Sequence, residues 1–213
     1  MCFSAFASFT AAATLCVLGT ATLFQTPSKK ELLLGVFPIL FAIQQFCEGL
    51  VWLSLDSSSF LWLNSAATYG FLFFATSLWL VLSPLAIYYL EKPSFKRPFI
   101  LILAGLGFLL GCYLFGFSFV HGVYPQVFSG NLLYDLQFLP FYELTKYVYL
   151  LIIVMPFLLA TQLWLQLFGV MILASFIFTT IFYTITFVSV WCFFAAILSG
   201  SLYLRFRYYP SQL

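Results

Sequence analysis

Gln44, Glu48 and Trp52 are the residues of this chain from which chemistry is most readily built. They stand four apart within FAIQQFCEGLVW, Phe41 to Trp52, while the sequence around them is almost continuous hydrocarbon. On a helix that spacing lines the three along one face, with Gln45 beside them. A charged side chain at the centre of a membrane span costs at least about 2.5 kcal/mol, so an ionisable residue is kept there only where partners or water offset the cost. Glu48 could carry a proton, ligate a metal ion or balance a bound cation. It could equally be a carboxyl group hydrogen-bonded to a neighbouring helix. Gln44, Gln45 and Trp52 would then form a ligand-contacting or packing face.

Three further residues could join it. His121, the only histidine, follows the apolar run that ends at Phe119. A lone interfacial histidine serves either as a ligand or as a hydrogen-bonding loop residue. Of the five cysteines, Cys16, Cys47 and Cys112 read as small hydrophobes within helices. Cys2 and Cys192 are different, because both fall at helix ends level with Glu48. They could pair as a disulfide in an oxidising compartment, tying the first helix to the last, or work as a redox couple. Alternatively Cys2, Glu48, His121 and Cys192 would supply a Cys/His/carboxylate set suited to zinc, with the free amine of Cys2 as an extra donor if Met1 is removed. No CxxC or zinc-ribbon spacing supports that set, since its members come from different segments. Glu143 and Lys146, three apart, read as an interfacial ion pair.

The elements that must position these residues are membrane-spanning helices. The 213 residues are 64% hydrophobic and only 7% charged, with a mean hydropathy of +1.09. Soluble domains carry roughly a quarter charged residues, so the fold class expected is an all-α, polytopic transmembrane bundle forming one domain over residues 1–213. Hydropathy and the polar breaks place about seven spans, near Phe3–Phe24, Leu32–Ser54, Ala66–Leu90, Pro98–Phe119, two within Tyr142–Phe187, and Ser189–Leu204. The first reads as a helix and not as a removed signal peptide. Gln162 and Gln166 mark the turn between the fifth and sixth, and Pro156 is a candidate kink in the fifth. Without that turn the count falls to six or fewer and the C-terminus changes sides. Phe60 to Asn64 is expected at the interface, and Val120 to Pro140 as a long connection.

Close packing and orientation also have signals. Ser4, Ser8 and Ala12 give the first helix a small-residue face, and Gly107 and Gly111 make a GxxxG step in the fourth. Trp52, Trp62, Trp191, Tyr142 and Tyr208 fit interfacial aromatic belts. In a seven-span arrangement Lys29, Lys30, Lys92, Lys96, Arg97, Arg205 and Arg207 share one side, and only Lys146 falls on the other. That asymmetry makes the basic side cytoplasmic, with the N-terminus and His121 outside. His121 and Glu48 are then level to within about 10 Å at 1.5 Å rise per residue, a depth Cys2 and Cys192 share. A hydrated cavity opening outward is the simplest arrangement that keeps Glu48 where it is.

The segments MCFSAFASF, FAIQQFCEGLVW and FVSVWCFFAAILS resemble signatures of a bacterial family of small multi-pass membrane proteins that is known as a domain of unknown function. The resemblance runs from first helix to last and implies a protein of the bacterial inner membrane. It brings no activity or cofactor with it. The net charge of +2 is too small to suggest nucleic-acid binding, and no nucleic-acid partner is expected. The partners expected are the lipid bilayer and either other membrane proteins or further copies of the chain. No phosphate-binding loop, nucleophile elbow or HExxH is present, and the seventh span has no lysine for a retinal Schiff base. No enzyme class is assigned. What remains is an outer-side site for a metal ion or small ligand around Glu48 and His121, with a proton- or cation-coupled transporter, or a structural subunit of a membrane complex, as alternatives.

Overall fold

The computed structural model of the protein describes residues 4–26, 28–56 and 61–208. Cys2, Phe60 and most of the polar run 55–59 lie outside them. Helix α1 (Ala5–Gln25) is capped by Ser4, whose Oγ accepts from Ala7 N at 3.2 Å. A short α2 (Leu32–Gly35) leads into α3 (Phe37–Asp56). Then come α4 (Leu61–Phe73), one π-helical turn (Phe74–Leu78) and α5 (Trp79–Leu90), which together make a single long span. The chain continues through α6 (Lys96–His121), strands β1 (Gln126–Phe128) and β2 (Asn131–Leu133), and helices α7 (Tyr142–Leu159), α8 (Leu163–Phe182) and α9 (Phe187–Tyr208). Among the described residues, seven helical stretches are long and apolar enough to cross a membrane. The third begins at Trp62, so the stretch expected at the interface is, from Leu61 onward, the first turn of that span.

Small residues set the closest approaches. The buried face of α1 is Ser8, Ala12, Leu15, Gly19 and Thr22, and it packs along α3. A Cβ on Gly19 would sit 2.5 Å from Ile39 Cγ1, so only glycine lets the two helices meet there. The GxxxG step of α6 does the same against the third span. Pro84 has no N–H, which frees the carbonyl of Leu80 one turn earlier, and that oxygen turns to Gly107. A Cβ at Gly107 would lie 2.1 Å from it. One turn on, Ser77 Oγ donates to Gly111 O at 2.9 Å. Gly116, further along α6, faces open space.

The α7–α8 turn is real, and its anchoring shows which end of the bundle it occupies. Glu91, at the end of α5, accepts from both the backbone N (3.0 Å) and the hydroxyl of Thr161. Lys96 Nζ donates to Leu159 O at 3.0 Å. Arg205 lies 4.7 Å over the Trp164 ring and in the field of Glu31. Turns α1–α2, α5–α6 and α7–α8 and the end of α9 therefore share one end, here the basic end. Glu91 is buried, so Glu91→Ala is expected to cost about 2 kcal/mol, the scale for stranding a buried donor. Glu91→Gln keeps one acceptor and should lose about half as much; unfolding by SDS titration would measure both.

The opposite end is closed by structure where the sequence suggested an open connection. Residues 126–133 form an antiparallel hairpin whose turn residues, Ser129 and Gly130, have φ of 48° and 75°. That left-handed pair matches the strand twist. Leu132, Tyr134, Leu136 and Leu139 are buried, and the Tyr134 ring stacks on Phe71 at 4.6 Å. The hairpin and the strap after it thus roof the bundle. The aromatic belt also needs correcting. Trp62 and Tyr208 are exposed, but Trp52 and Trp191 are each only 6% exposed. Trp191 is held by Phe187, Tyr149 and Phe176 and donates through Nε1 to Ser175 Oγ at 3.2 Å.

Candidate functional site

Helix α3 turns its polar face inward: Gln44, Gln45 and Glu48 are fully buried. Antiparallel to it, α9 brings Ser189 and Cys192 one turn apart on a matching face. Ser189 Oγ donates to Glu48 Oε1 at 2.5 Å. Cys192, buried with a free thiol, neighbours both Glu48 and Gln44. Gln44 Oε1 in turn accepts from Trp79 Nε1 at 2.8 Å, and Phe41 stacks on the Trp79 ring at 3.9 Å. Hydrogen bonds thus tie the polar face of α3 to two other helices, the Glu48 carboxyl to α9 through Ser189 and the Gln44 amide to α5 through Trp79. Gln45 and Trp52, on the flank of the face, are buried with amide and indole N–H groups that have no hydrogen-bond acceptor among the described residues.

His121 does not join this cluster. It ends α6, its Nδ1 lies 3.1 Å from Phe117 O, and its ring is stacked between Phe117 and Phe138 at 5.5 and 5.1 Å. Depth along the helix axis put it level with Glu48, but α3 packs on α1, α4 and α9 while α6 packs on the third span and α7, so the order of helices separates them. Among the described residues no three of His, Cys, Asp and Glu converge as a metal-binding group, and Cys2 lies outside those residues. Of the four residues considered for zinc, the fold brings together Glu48 and Cys192.

Sharing a chamber with Cys192 is a cationic side chain whose ion pair, but not its burial, was expected from the sequence. Lys146 lies on the first turns of α7, and its side chain is only 7% exposed. Its ammonium pairs with Glu143 Oε2 at 2.7 Å, and the Glu143 side chain is 66% exposed at the rim. The rings of Phe187 and Tyr147 lie 5.4 and 5.5 Å away. Lys146 lines a chamber of about 50 Å³ together with Tyr142, Thr145, Thr76, Tyr149 and Cys192, and Leu136 of the strap is part of its wall. The π-helical turn forms part of its wall. Thr76 Oγ1 donates back to Leu72 O at 2.8 Å, while Ala75 O accepts from Tyr149 Oη at 2.6 Å.

Tyr149, Trp191 and Cys192 also form a wall of a second chamber, of about 40 Å³, which continues toward Phe37, Ser83 and Phe168. The Glu48 cluster thus stands beside the partition between two water-sized spaces. A space of about 50 Å³ holds one or two waters, at a liquid share of about 30 Å³ each. A ligand there has few non-hydrogen atoms and meets one ammonium group.

No curated protein and no solved structure shows a significant match to the chain. Residues 1–212 match the profile described as "Family of unknown function (DUF6629)", and the protein belongs to that family.

Proposed function

We propose that this protein is a membrane-embedded receptor for a small monovalent anion, a halide, nitrate or short carboxylate, bound in the chamber beneath the hairpin. The observation that carries the reading is Lys146: an ammonium withdrawn from solvent into an apolar chamber, with its carboxylate partner on the exposed rim. A cation so placed favours an anion of matching size, because in a dry site the attraction is far less screened than in water. Tyr142 shares the chamber and supplies a hydroxyl group, whereas the Thr145 hydroxyl already donates to Phe141 O. Cys192 is part of its wall, and Glu48 and Gln44 neighbour that thiol from outside the chamber. The protein is placed in the bacterial inner membrane as one domain over residues 1–213, with its N-terminus and hairpin outside. Clustering of the basic residues at the opposite end supports that orientation.

The test uses the full chain in uncharged detergent, titrated with chloride, nitrate, formate and acetate at fixed ionic strength. At least one should raise the unfolding temperature saturably, by the equivalent of about 2.7 kcal/mol at a hundred times its Kd. Lys146→Met should abolish the effect. If no anion acts saturably, or if Lys146→Met responds like the parent, the reading fails.

The second chamber favours a passage as a second reading, in which anion and proton cross together. It predicts anion-dependent proton flux in liposomes that disappears in Glu48→Gln. Binding that depends on Lys146 without such flux leaves the receptor reading alone.

A further inference from the structure

A different site lies at the basic end, outside the bundle core. Where α5 gives way to α6, Tyr88, Pro93, Ser94, Arg97, Pro98 and Leu101 line a groove of about 300 Å³. Its wall holds no acidic residue. The Arg97 guanidinium lies 4.2 Å over the Tyr88 ring, which fixes its plane, and its Nε–H is buried without an acceptor among the described residues. Among the described residues no carboxylate is paired with Arg97. Lys92 and Ser94 are exposed beside it, and Lys96 is held away by its bond to Leu159 O.

The two walls of the groove differ in chemistry along the helix axis. Arg97 and Ser94 sit at the helix end, at the depth of the headgroups if α6 spans the bilayer. Pro98 and Leu101 continue one turn inward, and Leu101 is half exposed on the outer surface of the bundle. An immobilised, unpaired guanidinium presents a fork suited to phosphate oxygens. The apolar wall below it suits glycerol and the first methylenes of an acyl chain, which free phosphate does not have.

We infer that this groove seats the headgroup of an anionic phospholipid, its phosphate on Arg97 and Ser94 and its glycerol backbone against Pro98 and Leu101. Native mass spectrometry of the full chain, with dioleoyl phosphatidylglycerol and dioleoyl phosphatidylcholine as probes, tests it. Phosphatidylglycerol should bind more tightly than phosphatidylcholine. Arg97→Gln should weaken phosphatidylglycerol about fivefold, the scale for one basic residue at a lipid surface, and leave phosphatidylcholine unchanged. Arg97→Lys should recover part of that loss, and Arg207→Gln, at the same end, should show none. Equal binding of the two lipids overturns the inference. So does equal loss in Arg97→Gln and Arg207→Gln, which would indicate a diffuse basic surface, and so does displacement of the lipid by millimolar inorganic phosphate, which would assign the groove to the free anion.

Discussion

Gly107→Leu should be the most damaging single substitution in this protein, destabilising it by at least about 3 kcal/mol and leaving little monodisperse material after solubilisation. The obstacle is backbone. A Cβ at Gly107 would stand 2.1 Å from Leu80 O, and the Cγ2 of Ile152 is 3.2 Å away on the other side. A side-chain tip can rotate aside, but a carbonyl moves only with its helix. Leu80 O is there because Pro84 leaves it without its helical partner, so the clash and the proline are one packing feature. Gly105 and Gly116 on the same helix provide the control, since a Cβ at either meets nothing within 4 Å. Alanine at those positions should be neutral, or stabilise by about 0.5–1 kcal/mol through helix propensity. If Gly107→Leu solubilises and melts like Gly116→Ala, the close approach of α6 to the third span is wrong.

Glu48→Ala should come next, at about 3 kcal/mol, because it removes a buried acceptor and leaves a void between α3 and α9. Glu48→Gln is the informative companion. It keeps the volume and an oxygen that can accept from Ser189 Oγ, so it should lose only about 1 kcal/mol. A double-mutant cycle of Glu48→Ala with Ser189→Ala, in which each single change removes the bond, should give a coupling of about 1–2 kcal/mol between the two side chains, where sites without a shared partner give less than about 0.5. Near-zero coupling would mean that the α3–α9 bond contributes nothing to stability, and Glu48 would then need another reason to be buried.

How much of this was legible beforehand differs from one feature to the next, and the differences have physical causes. The buried face of α3 followed from the spacing of Gln44, Glu48 and Trp52, because a helix converts a four-residue repeat into a stripe wherever it packs. The small faces of α1 and α6 followed for the same reason. Depth was legible too, since counting residues put Glu48 level with the start of α9, and Ser189 meets it there. Order around the bundle was not. His121 shares that level yet sits on a different helix wall, and one-dimensional spacing carries no information about which helices are neighbours. The Glu143–Lys146 ion pair was legible from its spacing and is present, but the burial of Lys146 was not, for a related reason. That burial comes in part from Phe187, far away in sequence. The hairpin had a weak local signal in Ser129-Gly130 between Val127-Phe128 and Leu132-Leu133, but three-residue strands fall below what alternation can reveal.

The central claim is that an anion sits against Lys146, and magic-angle-spinning NMR on the full chain in bilayers tests it most directly. With ¹⁵N-labelled lysine and ¹³C-formate, the account predicts a dipolar contact from formate carbon to one lysine Nζ. That contact should disappear in Lys146→Met and, if benzoate is too large for the chamber, survive competition by benzoate. A formate contact that persists in Lys146→Met, or bound formate with no lysine contact at all, would contradict it.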